Sequence, residues 1–326
     1  MQLTTLMRAE IGEIPEAAAR LSAPDVQEEF RAIAARWTER NPAAFVTIAR
    51  GSSDHAATYL KYVIEILSGR PVASVGPSVV SRFGASPQGG AVQAIAISQS
   101  GRSQDLGAAT KGFASGGAPV LVLTNAPDSP LAQVGTDVLH VRAGPEKAVA
   151  ATKSYVNSVL AGLWVIGHWA RDAELLKALA GLPARLQAQM SRPDAALADM
   201  LSTAGRAFVV GRGPVLGIAQ EVALKMLEVC GVHASGYSSA EVWHGPAAVI
   251  GPDMPVIALS PSDDAAEKAR ALGATVVEIG PHDGSHPMLA GLEQLVVAYL
   301  ALEQAARNRG RNPDAPPNLK KETVTL

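Results

Sequence analysis

The sequence predicts an α/β fold of two related lobes, each a parallel sheet flanked by helices in the flavodoxin-like manner. Three observations point there. Apolar strands alternate with helical stretches, one strand-and-turn unit occurs twice, and the strands of both copies run into Arg-Gly or Ser-rich turns.

The length of 326 residues exceeds the usual single-domain size, so two domains are expected. Hydrophobic residues at 48% against 18% charged suit packed cores and argue against disorder. The net charge of −2 offers no global field for a nucleic-acid backbone, although a few N–H groups and hydroxyls suffice for one small anion. The single cysteine, Cys230, excludes an intrachain disulfide and a cysteine-based metal cluster; it falls in a predicted helix and reads as an inert buried thiol. Acidic residues interrupt the N-terminus where a signal peptide needs an apolar stretch, and no apolar run approaches the roughly 20 residues of a membrane span. A cytoplasmic protein is expected.

In chain order, residues 1–40 read as amphipathic helix and are expected to pack against the first lobe. The strand Ala44–Gly51 (AFVTIARG) then leads into the helical pattern SSDHAATYLKYVIEIL. Ala207–Gly213 (AFVVGRG) leads likewise into PVLGIAQEVALKMLEV, placing Arg212-Gly213 at an offset of 162 residues from Arg50-Gly51. At the same offset, AIAISQS (Ala94–Ser100) matches VIALSPS (Val256–Ser262), pairing Ser98 and Ser100 with Ser260 and Ser262. Each copy continues through a helix to a further strand, VLVLTN near Val120 and ATVVEIG near Ala274. Two landmarks at one offset mark an internal duplication. Between the copies, residues 170–204 are helical, with Pro183 and Pro193 expected as breakers. The predicted domains are 1–192 (leading helices and first lobe), 193–311 (second lobe) and 312–326, a proline-rich tail laid in extended form over another surface.

Ser98-Gln99-Ser100-Gly101-Arg102-Ser103 follows a strand and opens a helix, the place where open α/β sheets bind ligands. Amides at a helix N-terminus favour an anion, and serine hydroxyls add donors without bulk. A helix cap would use the same residue types, but three serines and a glycine in six residues favour a phosphate. Arg50-Gly51-Ser52-Ser53 is a second turn of this kind. Neither matches a GxxxxGK[ST] or GxGxxG nucleotide loop.

In the second lobe, Glu221, Lys225 and Glu228 share one face of a helix otherwise almost wholly apolar, so these charges need partners or a function. His244 is held by Gly245-Pro246, and histidine is a residue type suited to proton transfer to a ring oxygen. It follows Glu228 by sixteen residues, close enough for the loop to fold back. His233, Glu241 and His244 lack a metal-ligand spacing.

These segments carry a resemblance. GRGPVLGIAQEVALKMLEVCGVHASGYSSAEVWHGPAAVI and ISQSGRSQDL resemble the two sugar-isomerase (SIS) domains of glucosamine-6-phosphate synthases. AGPEKAVAATKSY and the tail NPDAPPNLKKETVTL resemble those enzymes' following loop and C-terminus. The resemblance implies that Ser98, Gln99, Ser100 and Ser103, with Ser53, hold a sugar phosphate. It implies Glu228 as the proton shuttle between C1 and C2, and His244, supplied by the neighbouring subunit of a homodimer, as the ring opener. It further implies Lys321 as the Schiff-base lysine, Lys225 beside the substrate and Val149 touching it through its backbone. Such chemistry needs neither metal nor redox cofactor.

Two departures qualify the comparison. The sequence before the first strand has no counterpart of the synthases' glutaminase domain, so the chain is not expected to take nitrogen from glutamine by itself. Ala151 stands where the synthases have a serine on the sugar. Double-SIS chains of this length and tail resemble type II glucosamine-6-phosphate deaminases, which implies release of ammonia and fructose 6-phosphate. The alternatives are a deaminase, deglycase or aldose–ketose isomerase acting on galactosamine or fructosamine phosphates, a synthase using free ammonia, and a non-catalytic phosphosugar sensor.

Overall fold

In the computed structural model the structure describes residues 4–259, 263–280 and 283–321. The second-copy residues Ser260 and Ser262, and the tail from Glu322 onward, lie outside the described residues. The described chain falls into two compact units. One comprises residues 16–146 and 153–181, the other residues 4–15, 147–152 and 182–321.

The first unit holds, among the described residues, a five-stranded sheet of β1 (Ala44–Ile48), β2 (Val72–Ser74), β3 (Val92–Ser98), β4 (Val120–Thr124) and β5 (Asp137–His140), all parallel, in the order β2-β1-β3-β4-β5. Every residue of β4 and all but the first of β3 are buried, as expected of strands covered on both faces. Val46, Ile48, Ala96, Val120 and Val122 pack on Leu106, Phe113 and Leu131. Each such side chain contributes roughly 1.5–3 kcal/mol when fully buried. On the helices, Val26, Phe30, Ile33 and Trp37 form the inward stripe of Pro24–Arg40, and Trp37 meets Phe45 and Trp169 edge-on at 5.1 and 5.7 Å. The helix Lys153–Ala170 is buried along nearly its whole length. It accepts the helix Ser52–Ser68 closely because Gly162 has no Cβ to strike Leu60, which would lie only 2.4 Å away.

The second unit repeats the plan with four parallel strands, β6 (Arg206–Gly211), β7 (His233–Ser238), β8 (Val256–Ala258) and β9 (Val276–Glu278), in the order β7-β6-β8-β9. Matched strand for strand, the four described strands correspond to β2, β1, β3 and β4 of the first sheet. The duplication predicted from the Arg-Gly and Ser-rich landmarks is therefore topological as well. The sheet packs Phe208, Val210, Val256 and Ala258 on Val242, Met254 and the alanines of helix Ala265–Ala271.

Three local expectations change. Pro183 does not break its segment but lies inside the helix Ala173–Gln189, next to Leu182 where the chain passes from one unit to the other. The leading residues divide: Pro24–Arg40 packs on Lys153–Ala170, whereas Leu6–Gly12 packs on Ala290–Asn308. Thr5 donates to Glu303 at 2.9 Å there, and the Asp314 carboxylate accepts the amides of Leu6 and Met7 at 2.8 and 2.7 Å. Finally, Glu221 and Glu228 are not on one continuous α-helix. The α-helix ends at Lys225 and continues as a π-helical turn over Met226–Cys230. Among the described residues no helix is long and apolar enough to cross a membrane.

Candidate functional site

The chain rises along β1, crosses to β2 on one side, and returns to β3 on the other. The order thus reverses between β1 and β3, which opens a crevice at their carboxyl ends. Ile48 pairs with Ala96, so the turns after the two strands lie side by side. One carries Ser53 in the first turn of Ser52–Ser68; the other carries Ser98, Gln99, Ser100 and Ser103 ahead of Gln104–Ser115.

The second loop is shaped from within. Ser98 Oγ accepts the Gly101 amide at 3.1 Å, Ser100 Oγ accepts the Arg102 amide at 3.4 Å, and the Gln99 carbonyl takes the Asn125 amide at 3.2 Å. Gly101 has φ +63°, and a Cβ there would come within 2.0 Å of Ser129 Oγ, so only glycine fits. Ser103 stands at the N-cap of the helix without spending its hydroxyl on a capping bond. Ser129 Oγ is buried and has no hydrogen-bond partner among the described residues. It shares a cavity of about 640 Å³ with Arg102, Ala126, Asp128 and Pro130.

Arg50 ties the two turns together. Its Nη2 lies 2.6 Å from the Asp105 carboxylate in the first turn after β3, and Ser81 donates to the same carboxylate. Burial alone would raise the Asp105 carboxyl, but Ser81 and the Arg50 guanidinium outweigh it and hold it below its usual range. Burial pushes the Asp54 carboxyl up, against the pull of His55 and Arg50.

In the second unit, Lys225 is fully buried between two carboxylates, 2.6 Å from Glu228 Oε2 and 3.3 Å from Glu221 Oε1. Burial would lower the lysine, but Glu221 and Glu228 together raise it, so it stays an ammonium. Glu221 is fully buried, whereas the Glu228 side chain keeps 18% exposure. The π turn holds one carboxylate at the edge of solvent with its charge supported from beneath, and such turns recur at functional sites. His244 ends the 3₁₀ turn Glu241–Trp243 and is exposed. The described partner of the Glu228 carboxylate is Lys225, not His244.

Lys321 Nζ donates to the Ala148 carbonyl at 2.7 Å, and the amide of half-buried Val149 donates to the Asp314 carbonyl at 3.1 Å. Glu10 accepts the amides of Lys147 and Ala148. The segment 147–149 is thus held by the leading helix and the tail at once.

The SIS domain family profile matches residues 41–166 and 200–286, together more than half of the chain. The chain belongs to the SIS domain family.

Among solved structures, a chain from Silicibacter pomeroyi assigned as a phosphosugar isomerase is 39% identical, with a TM-score of 0.90 over 95% of this chain and 100% of that one. The glutamine–fructose-6-phosphate aminotransferase (isomerizing) of Halobacterium salinarum is 33% identical over 319 residues, 88% of this chain and 53% of that protein. The chain spans about half the length of the curated relatives it matches. A glucosamine-6-phosphate deaminase from Thermotoga maritima, at 19% identity and a TM-score of 0.78 over 98% of this chain and 100% of that one, shares the fold. The double-SIS resemblance and the parallel α/β fold are thereby borne out. That relatives in the family are named as enzymes supports an enzyme here too.

Several residues of the SIS units escaped sequence reasoning. Arg50 carried a signal, since it precedes the first Gly-Ser turn, but nothing in the sequence points to Asp105 as its partner. Tyr299 is fully buried and donates to Glu221 Oε1 at 3.1 Å. Nothing in the apolar run around it says where its hydroxyl points. Glu10 and Asp314 act on backbone amides far along the chain, which spacing cannot reveal.

Proposed function

We propose that this chain is an isomerising phosphosugar deaminase that converts glucosamine 6-phosphate and water to fructose 6-phosphate and ammonia. The observation that carries the reading is the Glu228 carboxylate, partly exposed on a π turn and 2.6 Å from a buried ammonium. A carboxylate placed in this way suits a carbon acid whose proton is acidified by an adjacent carbonyl.

His244, from the neighbouring subunit of a homodimer, opens the pyranose. Glu228 takes the C2 proton of the open-chain amino aldose and returns it to C1. The C1 aldehyde becomes an alcohol and C2 is left as an imine. Water adds at C2 and ammonia departs, so the ketose forms with atoms balanced and no second substrate but water. The Lys225 ammonium lies beside the substrate and steadies the negative charge that develops on its oxygen. Lys321 forms a reversible Schiff base with the ketose, the C2 carbonyl oxygen leaving as water, and hydrolysis returns the free ketose and the amine; the tail closes over the site, and Val149 contacts the sugar through its backbone. The phosphate is held by Ser53, Ser98, Gln99, Ser100 and Ser103. Relatives named as isomerizing aminotransferases support the isomerisation. The deaminating direction rests on the resemblance to type II deaminases.

The test is incubation of the purified protein with glucosamine 6-phosphate, measuring ammonia and fructose 6-phosphate. Equimolar appearance of both is expected. Product only from galactosamine or fructosamine phosphates would replace the sugar, and phosphosugar binding without turnover on any of them would replace the enzyme by a sensor.

A further inference from the structure

Lys225 has two carboxylates to choose between and makes them unequal, 2.6 Å to Glu228 against 3.3 Å to Glu221. The Glu221 oxygen that it approaches, Oε1, is the one that accepts the Tyr299 hydroxyl at 3.1 Å. Glu221 and Lys225 stand one turn apart on the helix Val215–Lys225, while Tyr299 projects from Ala290–Asn308, which packs against it. All three are essentially inaccessible to water.

We propose that Tyr299 is a positioning residue for Glu228, acting through Glu221 and Lys225. The inference rests on the proton-transfer role proposed above for Glu228. A fully buried carboxylate must find its stabilisation among protein donors. Tyr299 supplies one to Glu221, which reduces what Glu221 asks of the ammonium and leaves the shorter, stronger bond of Lys225 directed at Glu228. Replacing a buried ion pair by apolar residues is often neutral or stabilising, so a chain of this kind is poorly explained as a stability device. Its far end, Glu228, is the one of the two carboxylates that keeps any exposure.

Among the described residues, the neighbouring titratable groups are engaged elsewhere or exposed. Of the titratable side chains on elements packed against the π turn, Glu303 is paired with Arg307, Glu293 with Arg185, and Tyr237 lies edge-on to Phe208. Asp199 and His233 are exposed. Arg311 donates to the Val229 carbonyl, and Cys230 to that of Leu302.

The decisive measurement is the titration of Glu228 itself, followed by carboxyl carbon NMR of glutamate-labelled protein and assigned with Glu228→Gln. It needs no turnover. In Tyr299→Phe, Glu221 remains ionic, draws Lys225 toward itself, and the midpoint for Glu228 rises by on the order of 0.5. In Glu221→Gln the competing charge is gone, Lys225 is released toward Glu228, and the midpoint falls. Opposite movements are what a relay gives and what general loosening of the core does not. Where the wild type turns over substrate, the acid limb of kcat moves in the same two directions while KM stays within about twofold. An unmoved Glu228 in folded Tyr299→Phe, or movement of both variants in the same direction, overturns the proposal. Should Tyr299→Phe fail to fold, Glu221→Gln carries the test alone, its midpoint falling if the relay exists and an unmoved one overturning it. Opposite movements in a protein that turns over no phosphosugar would uphold the relay and overturn the deaminase.

Discussion

Lys321 gives its ammonium to the carbonyl of Ala148 at 2.7 Å, and the adjoining Val149 gives its amide to the carbonyl of Asp314 at 3.1 Å. Tail and loop therefore share two bonds within a residue of each other. The bond to Ala148 and the proposed Schiff base are separable by substitution. Lys321→Ala removes both and is expected to lower kcat on the order of 10²-fold. Lys321→Arg keeps a cation for the Ala148 carbonyl but cannot form an imine. Continued inactivity in the arginine variant points to the amine chemistry, whereas recovery of most of the rate makes the residue a latch and removes the Schiff base from the proposed mechanism.

Gly101→Ala tests the phosphate loop. The backbone sits at φ +63°, which costs a residue with a Cβ about 1–2 kcal/mol, and the new methyl would enter the space of Ser129 Oγ at 2.0 Å. Affinity for fructose 6-phosphate, measured by calorimetry, is expected to drop at least tenfold, with kcat on saturation less affected. Adding Ser129→Gly makes room for the methyl and should return part of the affinity. Unchanged binding in Gly101→Ala would remove the loop from the site.

Much of this was legible in the sequence because it rests on local pattern. The Arg50-Gly51 and Ser98–Ser103 turns announce strand ends, and their recurrence at one offset announces a duplicated sheet. Helical spacing brought Glu221, Lys225 and Glu228 together, although it could not show that a π turn carries the last of them. What stayed hidden depends on distance along the chain. The hydroxyl of Tyr299 finds Glu221 only after two helices pack, and the Asp314 carboxylate caps Leu6 and Met7 from the opposite end of the protein. Pro183 misled because a proline breaks an isolated helix more reliably than one held by its neighbours.

Cys230 is expected to be chemically silent. Its thiol is buried, donates to the Leu302 carbonyl at 3.4 Å and is pushed by burial up to about 12, with Arg309 and Arg311 pulling weakly the other way. At pH 8 almost none of it is thiolate, the reactive form. Native protein should resist iodoacetamide for hours while protein in urea takes up one label per chain. Fast labelling of the native form would mean that the π turn opens readily.

The Lys225 cluster also makes a prediction about stability. Removing the ammonium leaves two carboxylates facing each other with one buried partner gone, so Lys225→Met should cost roughly 3–5 kcal/mol at neutral pH, read from the urea midpoint. The pH dependence follows from the direction of the lysine's displacement. Its folded value is raised above the ordinary 10.5, so the stabilisation is fully present below about that pH and is lost as pH rises through the folded value. Wild type and Lys225→Met should therefore differ by a constant amount from pH 6 to pH 10 and converge at higher pH. Other lysines and tyrosines titrate in the alkaline range in both proteins, so the difference between the two curves isolates this group. Curves that failed to converge above pH 10 would mean that the ammonium does not carry this stabilisation, and would remove the positive partner from the role proposed for Glu228.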